Sequence, residues 1–237
     1  MKQRVRNGIK GWLFLSPSFG GACVFFIVPF FVIVYYSLID SPISRNFIWF
    51  DNFVNVVKNS SFQLAARNTL MFSGIAVPLA VVLSMLLASL LESKIPGKSL
   101  FRTFFLSPLM VPVASIVLIW QVIFHYNGAL NEVLVQWGII RIDWLKSEYN
   151  RYVFVLLFLW KNLGYNMILF MAAYNNMPRD LIEVAEVEGA SRLYTFFRIK
   201  LRYLSPTILF VTILSMINSF KVFREIYMLG GAYPAEG

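Results

Sequence analysis

Residues 175–204 carry a long series of charged side chains. After Arg179 come Asp180, Glu183, Glu186 and Glu188, and Arg192, Arg198, Lys200 and Arg202 follow. An acidic block and a basic block separated by Gly189 suit recognition of another protein surface. They do not suit acid–base catalysis, because no His or Cys accompanies the carboxylates. Cys23 and His125 are each the only residue of their kind, so neither an intrachain disulfide nor a thiolate metal site can form. Gly97-Lys98-Ser99 matches the second half of a phosphate-binding loop. The first glycine of that loop would fall at Glu92, so nucleotide binding is not expected and no cofactor is implied. A second group of polar residues is scattered through apolar runs: Lys161, Asn162, Gly164 and Asn166 in one, Ser215, Asn218, Ser219 and Lys221 in another. A lysine in the middle of a membrane helix costs roughly 2.5–3.5 kcal/mol, so these eight positions are candidates for a solute path. The plainer reading is that they hydrogen-bond between helices, with Lys221 reaching to an interface.

The elements that position these residues follow from composition. Hydrophobic residues make up 58% of the 237 positions and charged residues 14%, too little charge to cover a water-soluble domain of this size. A bilayer-spanning helix needs about 20 mostly apolar residues. Five such helices are predicted, at 11–39, 68–91, 103–125, 152–174 and 205–229. The first is too long for a signal peptide and lacks a small-residue cleavage site. The fold class is therefore all-α, a polytopic transmembrane helical bundle of five visible helices. Residues 1–66 form an N-terminal tail, first helix and outer loop, and 67–237 form the main membrane domain. With the N-terminus inside, twelve Lys and Arg residues fall in the inner segments and six in the outer loops, and this asymmetry sets the orientation. The net charge of +9 is then read as loops at an anionic lipid face, with no nucleic-acid partner.

Between the fourth and fifth helices the pattern predicts a hairpin. Pro178 ends the fourth helix. Asp180 is expected to cap a short helix, with Glu183 completing a capping box. Leu181, Val184 and Ala185 share one face at helical spacing. Gly189 permits a sharp turn, Ser191 caps a second helix, and Pro206 opens the fifth span. An amphipathic hairpin of this kind suits a groove on a soluble partner, although it could equally lie on the membrane surface alone.

The run from Glu183 through Gly189-Ala190, followed by Phe196, Ile199, Leu201 and Pro206, resembles the Glu-Ala-Ala loop of ATP-binding-cassette importer permeases. Val184 stands for the middle alanine and Glu188 for an aspartate. Arg202 stands for a proline, so the second helix is expected to run on without a break. Trp12 to Asp40 with Pro17, Pro29 and Ser37, Asn68-Thr69-Leu70, Trp120, Gly128, Asn131 and the stretch from Asn218 to Pro234 look like the carbohydrate-uptake permeases related to the maltose system. The resemblance covers nearly the whole chain. It implies a type I importer permease fold in a bacterial cytoplasmic membrane, incomplete at the C-terminal end by one helix. It also implies four partners: a second permease subunit in a heterodimer, two ATP-binding subunits, and an extracytoplasmic solute-binding protein. Leu181, Glu183, Val184, Ala185, Glu188, Gly189 and Ala190 would then couple the chain to an ATP-binding subunit, and the solute would be a sugar or oligosaccharide. Positions matching Leu163, Gly164, Met167, Ser215, Ser219 and Val222 line the sugar site in that family. The alternatives are a non-sugar solute such as a polyol phosphate, or a secondary transporter, for which Glu225 is the single candidate ion-coupling acid.

Overall fold

The computed structural model describes residues 2–92, 97–146 and 148–230, leaving aside the side chains of 2–10, 223 and 230. Helices account for the described elements, with one isolated antiparallel bridge between Ile39 and Phe47. Five of the helices are long and apolar enough to cross a membrane: Gly11–Ser37, Ser60–Glu92, Val113–Gln136, Asn150–Asn175 and Arg192–Phe220. The chain divides into two compact units, Met1–Arg67 and Asn68–Gly237.

In the first unit, α1 (Lys2–Ala22) continues through a π-helical turn at Cys23–Ile27 into α2 (Val28–Ser37). The wide turn directly precedes Pro29, whose ring would clash with the carbonyl four residues back in a regular α-helix. The loop that follows is organised by Asp40. Its carboxylate accepts hydrogen bonds from Ser44 Oγ (2.7 Å), from the Ser41 and Asn46 backbone amides (2.6 and 3.0 Å) and from the Asn46 side chain. The Ser44 hydroxyl leads these donors in holding the Asp40 pKa below its ordinary value. Asn52 on α3 (Asp51–Lys58) donates to the carbonyls of Ser37 and Ile39 at 3.1 and 2.8 Å, which ties α3 to the end of α2.

The second unit is built on α4 (Ser60–Glu92, starting before the boundary), α8 (Asn150–Asn175) and α11 (Leu201–Phe220). They share a core that includes Val81, Ala88, Phe170, Tyr174, Leu204 and Val211. Between α4 and α8 lie α5 (Lys98–Met110), α6 (Val113–Phe124) and α7 (Ala129–Gln136). The helix predicted at 103–125 is thus two helices. Val111 adopts an extended conformation (φ −89°, ψ 128°), the preference of a residue before proline, and Pro112 starts α6. The predicted 205–229 span also differs. Pro206 lies inside α11 rather than at its start, α11 ends at Phe220, and α12 (Phe223–Gly230) is a separate helix. Ile116, Trp120, Val153, Leu157 and Leu229 form a further buried cluster.

Gly164 sits where α5 and α8 come together. A Cβ at this position would fall far inside the van der Waals contact distance of the Phe105 carbonyl oxygen. The contact is between backbones, so no side chain can rotate away to make room. Gly164→Ala is expected to destabilise the fold by about 1–3 kcal/mol or more through overpacking. A lowered thermal unfolding midpoint of the purified protein checks this, and an unchanged midpoint would mean that the two helices separate freely.

Candidate functional site

Two features carry the residues of interest: a hairpin between α8 and α11, and a polar seam along α8. The hairpin opens with α9 (Asp180–Val187). Arg179 already holds helical angles (φ −62°, ψ −33°), so it occupies the capping position, and no side-chain cap is formed. The capping box expected from Asp180 and Glu183 is therefore absent. Both carboxylates lie in the first turn instead, where they face the positive end of the helix dipole. At the other end Gly189 has φ +74°. The Ala190 amide bonds to the Ala185 carbonyl at 2.9 Å and the Gly189 amide to the Glu186 carbonyl at 3.1 Å. That pair of bonds is the Schellman arrangement, which needs a left-handed residue at this point. The second arm starts at Ser191, whose hydroxyl accepts from the Tyr194 amide at 3.3 Å. It runs through α10 (Arg192–Tyr194) and a second π-helical segment, Thr195–Lys200, directly into α11. The expected unbroken second helix is present.

The face predicted from Leu181, Val184 and Ala185 is split. Ala185 is buried, while Leu181 and Val184 are exposed and Ile182 packs inward in their place. The hairpin consequently presents Leu181, Val184, Val187, Leu193 and Phe197 outward among the exposed Glu183, Glu186 and Glu188. Exposed apolar side chains interspersed with charge suit a docking surface.

The polar seam runs between α8 and the α11–α12 segment. Asn166 Nδ2 donates to Ser215 Oγ at 2.9 Å, and both residues are buried. Asn218 Nδ2 donates to Asn162 Oδ1 at 3.0 Å. Ser219 and Ser73 of α4 pair through their hydroxyls at 2.8 Å. Lys161 Nζ lies 2.5 Å from Glu225 Oε1, with the Glu225 side chain 5% exposed and that of Lys161 26% exposed. Arg224 approaches the same carboxylate oxygen at 3.7 Å. Six of the eight polar positions read from the sequence thus form one ladder. Gly164 is apart from it, in the α5–α8 contact, and Lys221 is exposed at the end of α11. Met167 and Val222 are buried in packing clusters. Ser73 and the pairing role of Glu225 were not legible in the sequence. A serine in an apolar helix carries no distinguishing pattern, and Glu225 lies 64 residues from its partner. Asn218 is exposed, and Asn162 stands near the middle of α8. An accessible amide pair at that depth is costly against lipid tails and favours a face turned to protein or water.

Residues 80–236 match the family model described as "Binding-protein-dependent transport system inner membrane component". The chain is 30% identical to a lactose transport system permease protein of Rhizobium radiobacter over 224 residues, covering 92% of this chain and 75% of that one. It is 27% identical to a trehalose/maltose transport system permease protein of Thermococcus litoralis, covering 98% and 81%. Its fold matches a chain of a bacterial ABC transporter involved in the import of the acidic polysaccharide alginate. The TM-score is 0.83 at 23% identity, with 98% of this chain and 82% of that chain covered.

Proposed function

The chain belongs to the family of binding-protein-dependent transport system inner membrane components and is a permease subunit of such a system; from that premise we propose that it imports a sugar or oligosaccharide and that its hairpin docks on an ATP-binding subunit. The observation that carries the docking role is the Gly189 turn, which presents exposed Glu183, Glu186 and Glu188 beside exposed Leu181, Val184 and Val187. Glu183 supplies charge to a cationic groove, Leu181 and Val184 supply the apolar contact, and Glu188, Gly189 and Ala190 shape the turn. Ala185 is buried, and Ile182 and Phe196 pack the hairpin against the core of the membrane helices. The N-terminus and the hairpin lie on the cytoplasmic side, as the distribution of Lys and Arg favours. A second permease subunit completes the pathway, each permease rests on one of two ATP-binding subunits, and an extracytoplasmic binding protein delivers solute. Closure of the ATP-binding pair then moves the hairpin and switches the bundle between two packed states.

The choice of a neutral, hydroxyl-rich solute rests on the seam. The amides of Asn162 and Asn218 offer donors and acceptors at the accessible part of the seam, backed by the buried Asn166–Ser215 and Ser73–Ser219 pairs, and the Lys161 charge is balanced by Glu225. The second reading is a polyol phosphate, favoured by exposed Lys221 and Arg224 at the end of the seam. Glu225 is engaged by two cations, which argues against its use as an ion-coupling acid. ATP hydrolysis by the reconstituted complex should rise when a binding protein loaded with a neutral oligosaccharide is added. Stimulation by a polyol phosphate, with none by any sugar tested, would sink the carbohydrate assignment.

A further inference from the structure

Lys200 closes the π-helical segment of the hairpin's second arm and lies where three long helices meet. Its ammonium is 3.2 Å from Glu92 Oε2, and it stands 5.7 Å from the centroid of the Tyr174 ring. Glu92 is the last residue of α4, and Tyr174 lies one residue from the end of α8. Both members of the ion pair are largely shielded, with side chains 21% and 31% exposed. A carboxylate at the C-terminal end of a helix faces the negative pole of the helix dipole, so Glu92 is poorly placed for the stability of α4 by itself. Its placement makes electrostatic sense with a cation brought from elsewhere, and Lys200 comes from 108 residues away.

The rest of the contact is of a different kind. Ile182, Phe196 and Leu201 pack against a core cluster that includes Leu91, Tyr174, Met177 and Leu204. Apolar packing is non-directional, and it resists separation better than it resists sliding. A charge-assisted hydrogen bond fixes register as well as proximity. Tyr203 adds a second directional link on the α8 side, its hydroxyl donating to the Asn176 carbonyl at 2.8 Å.

We propose that Lys200 is a positioning residue that ties the hairpin to α4 and α8 together, so that displacement of the hairpin is passed to both helices as one movement. The inference rests on the docking role of the hairpin given above. Through α4 the link reaches Ser73 and its pair with Ser219, and through α8 it reaches Asn162 and Asn166. Lys200 therefore acts on the seam without touching solute, and its loss uncouples the hairpin from the pathway while leaving docking in place.

The test uses the full complex with its ATP-binding subunits in lipid vesicles and needs no solute. A single cysteine at Asn218→Cys, in a Cys23→Ser background, reports the accessibility of the seam to a membrane-impermeant maleimide. Adding ATP and vanadate should change the labelling rate in the parent protein. Lys200→Glu should lose that change while the ATP-binding subunit still co-purifies. Lys200→Met, which keeps the apolar stem without the charge, should behave the same way, and the exchange Glu92→Lys with Lys200→Glu should restore the response. A normal response in Lys200→Glu and Lys200→Met overturns the proposal, as does loss of the ATP-binding subunit from both or failure of the exchange to restore the response. Glu183→Lys run in parallel separates the two ideas. If it retains the ATP-binding subunit, the docking reading fails, whatever the Lys200 variants do.

Discussion

Glu183→Lys and Gly189→Arg are each expected to abolish uptake while leaving membrane insertion intact. The two changes act by different physics. Glu183 is exposed in the first turn of α9, where a carboxylate faces the positive pole of the helix. Lysine there reverses the charge offered to the partner and places a cation against that pole. Gly189 holds φ +74°, and an ideal Cβ meets nothing within 4 Å. Space is therefore not the obstacle. The cost is conformational, roughly 1–2 kcal/mol for an L-residue with a side chain in the left-handed region. Relaxing that strain would break the Schellman bonds from Gly189 and Ala190 and swing the second arm away. Gly189→Ala carries the strain without the bulk and should retain partial uptake. Solute uptake and co-purification of the ATP-binding subunit, measured on the same membranes, check the pair. Normal uptake in both Glu183→Lys and Gly189→Arg would remove the coupling role.

Glu225→Gln should be the most damaging single change in the seam. It removes the counter-charge of Lys161 in a position where the carboxylate is 5% exposed. Breaking a buried pair from one side costs about 3–5 kcal/mol, because the remaining charge is left without compensation. For a chain of this size that corresponds to a fall in unfolding midpoint on the order of 10 °C. Replacing both partners with apolar residues, Lys161→Met with Glu225→Leu, should recover most of the loss, since no charge is then stranded. Thermal unfolding of the detergent-solubilised variants is the check. A midpoint for Glu225→Gln within a degree or two of the parent would show that solvent reaches Lys161 easily.

Hydropathy made the membrane helices legible because it sums over some 20 residues, and small local features hardly affect the sum. Local features were read less well. Hydropathy gives one continuous helix over 103–125, yet Pro112 acts on Val111, and the helix is interrupted there. A proline ahead of an apolar run reads as a helix start, but at Pro206 the helical run from Arg192 carries through it. The π-helical segment Thr195–Lys200 is too short to alter a periodicity count, although it determines where Lys200 points. In the hairpin, Ser191 and Gly189 were legible because capping and positive φ are local requirements with few residue solutions. The inward face was misread because Leu181, Ile182, Val184 and Ala185 are all apolar, and only tertiary packing decides which of them turn inward. Pairings such as Lys161 with Glu225 and Asn166 with Ser215 depend on how distant helices align in space, and no pattern within either helix records that.

The absence of a side chain at Gly164 lets the backbone of α8 lie directly on that of α5 around Phe105. Two helices in such close contact cannot roll past each other without losing it, so they behave as one lever arm. The extended Val111 before Pro112, and Lys221-Val222 between α11 and α12, are two places where the chain leaves regular helix and can bend. Alternating exposure of the pathway would then be a motion of rigid pieces about a few joints, with a glycine setting which pieces are rigid.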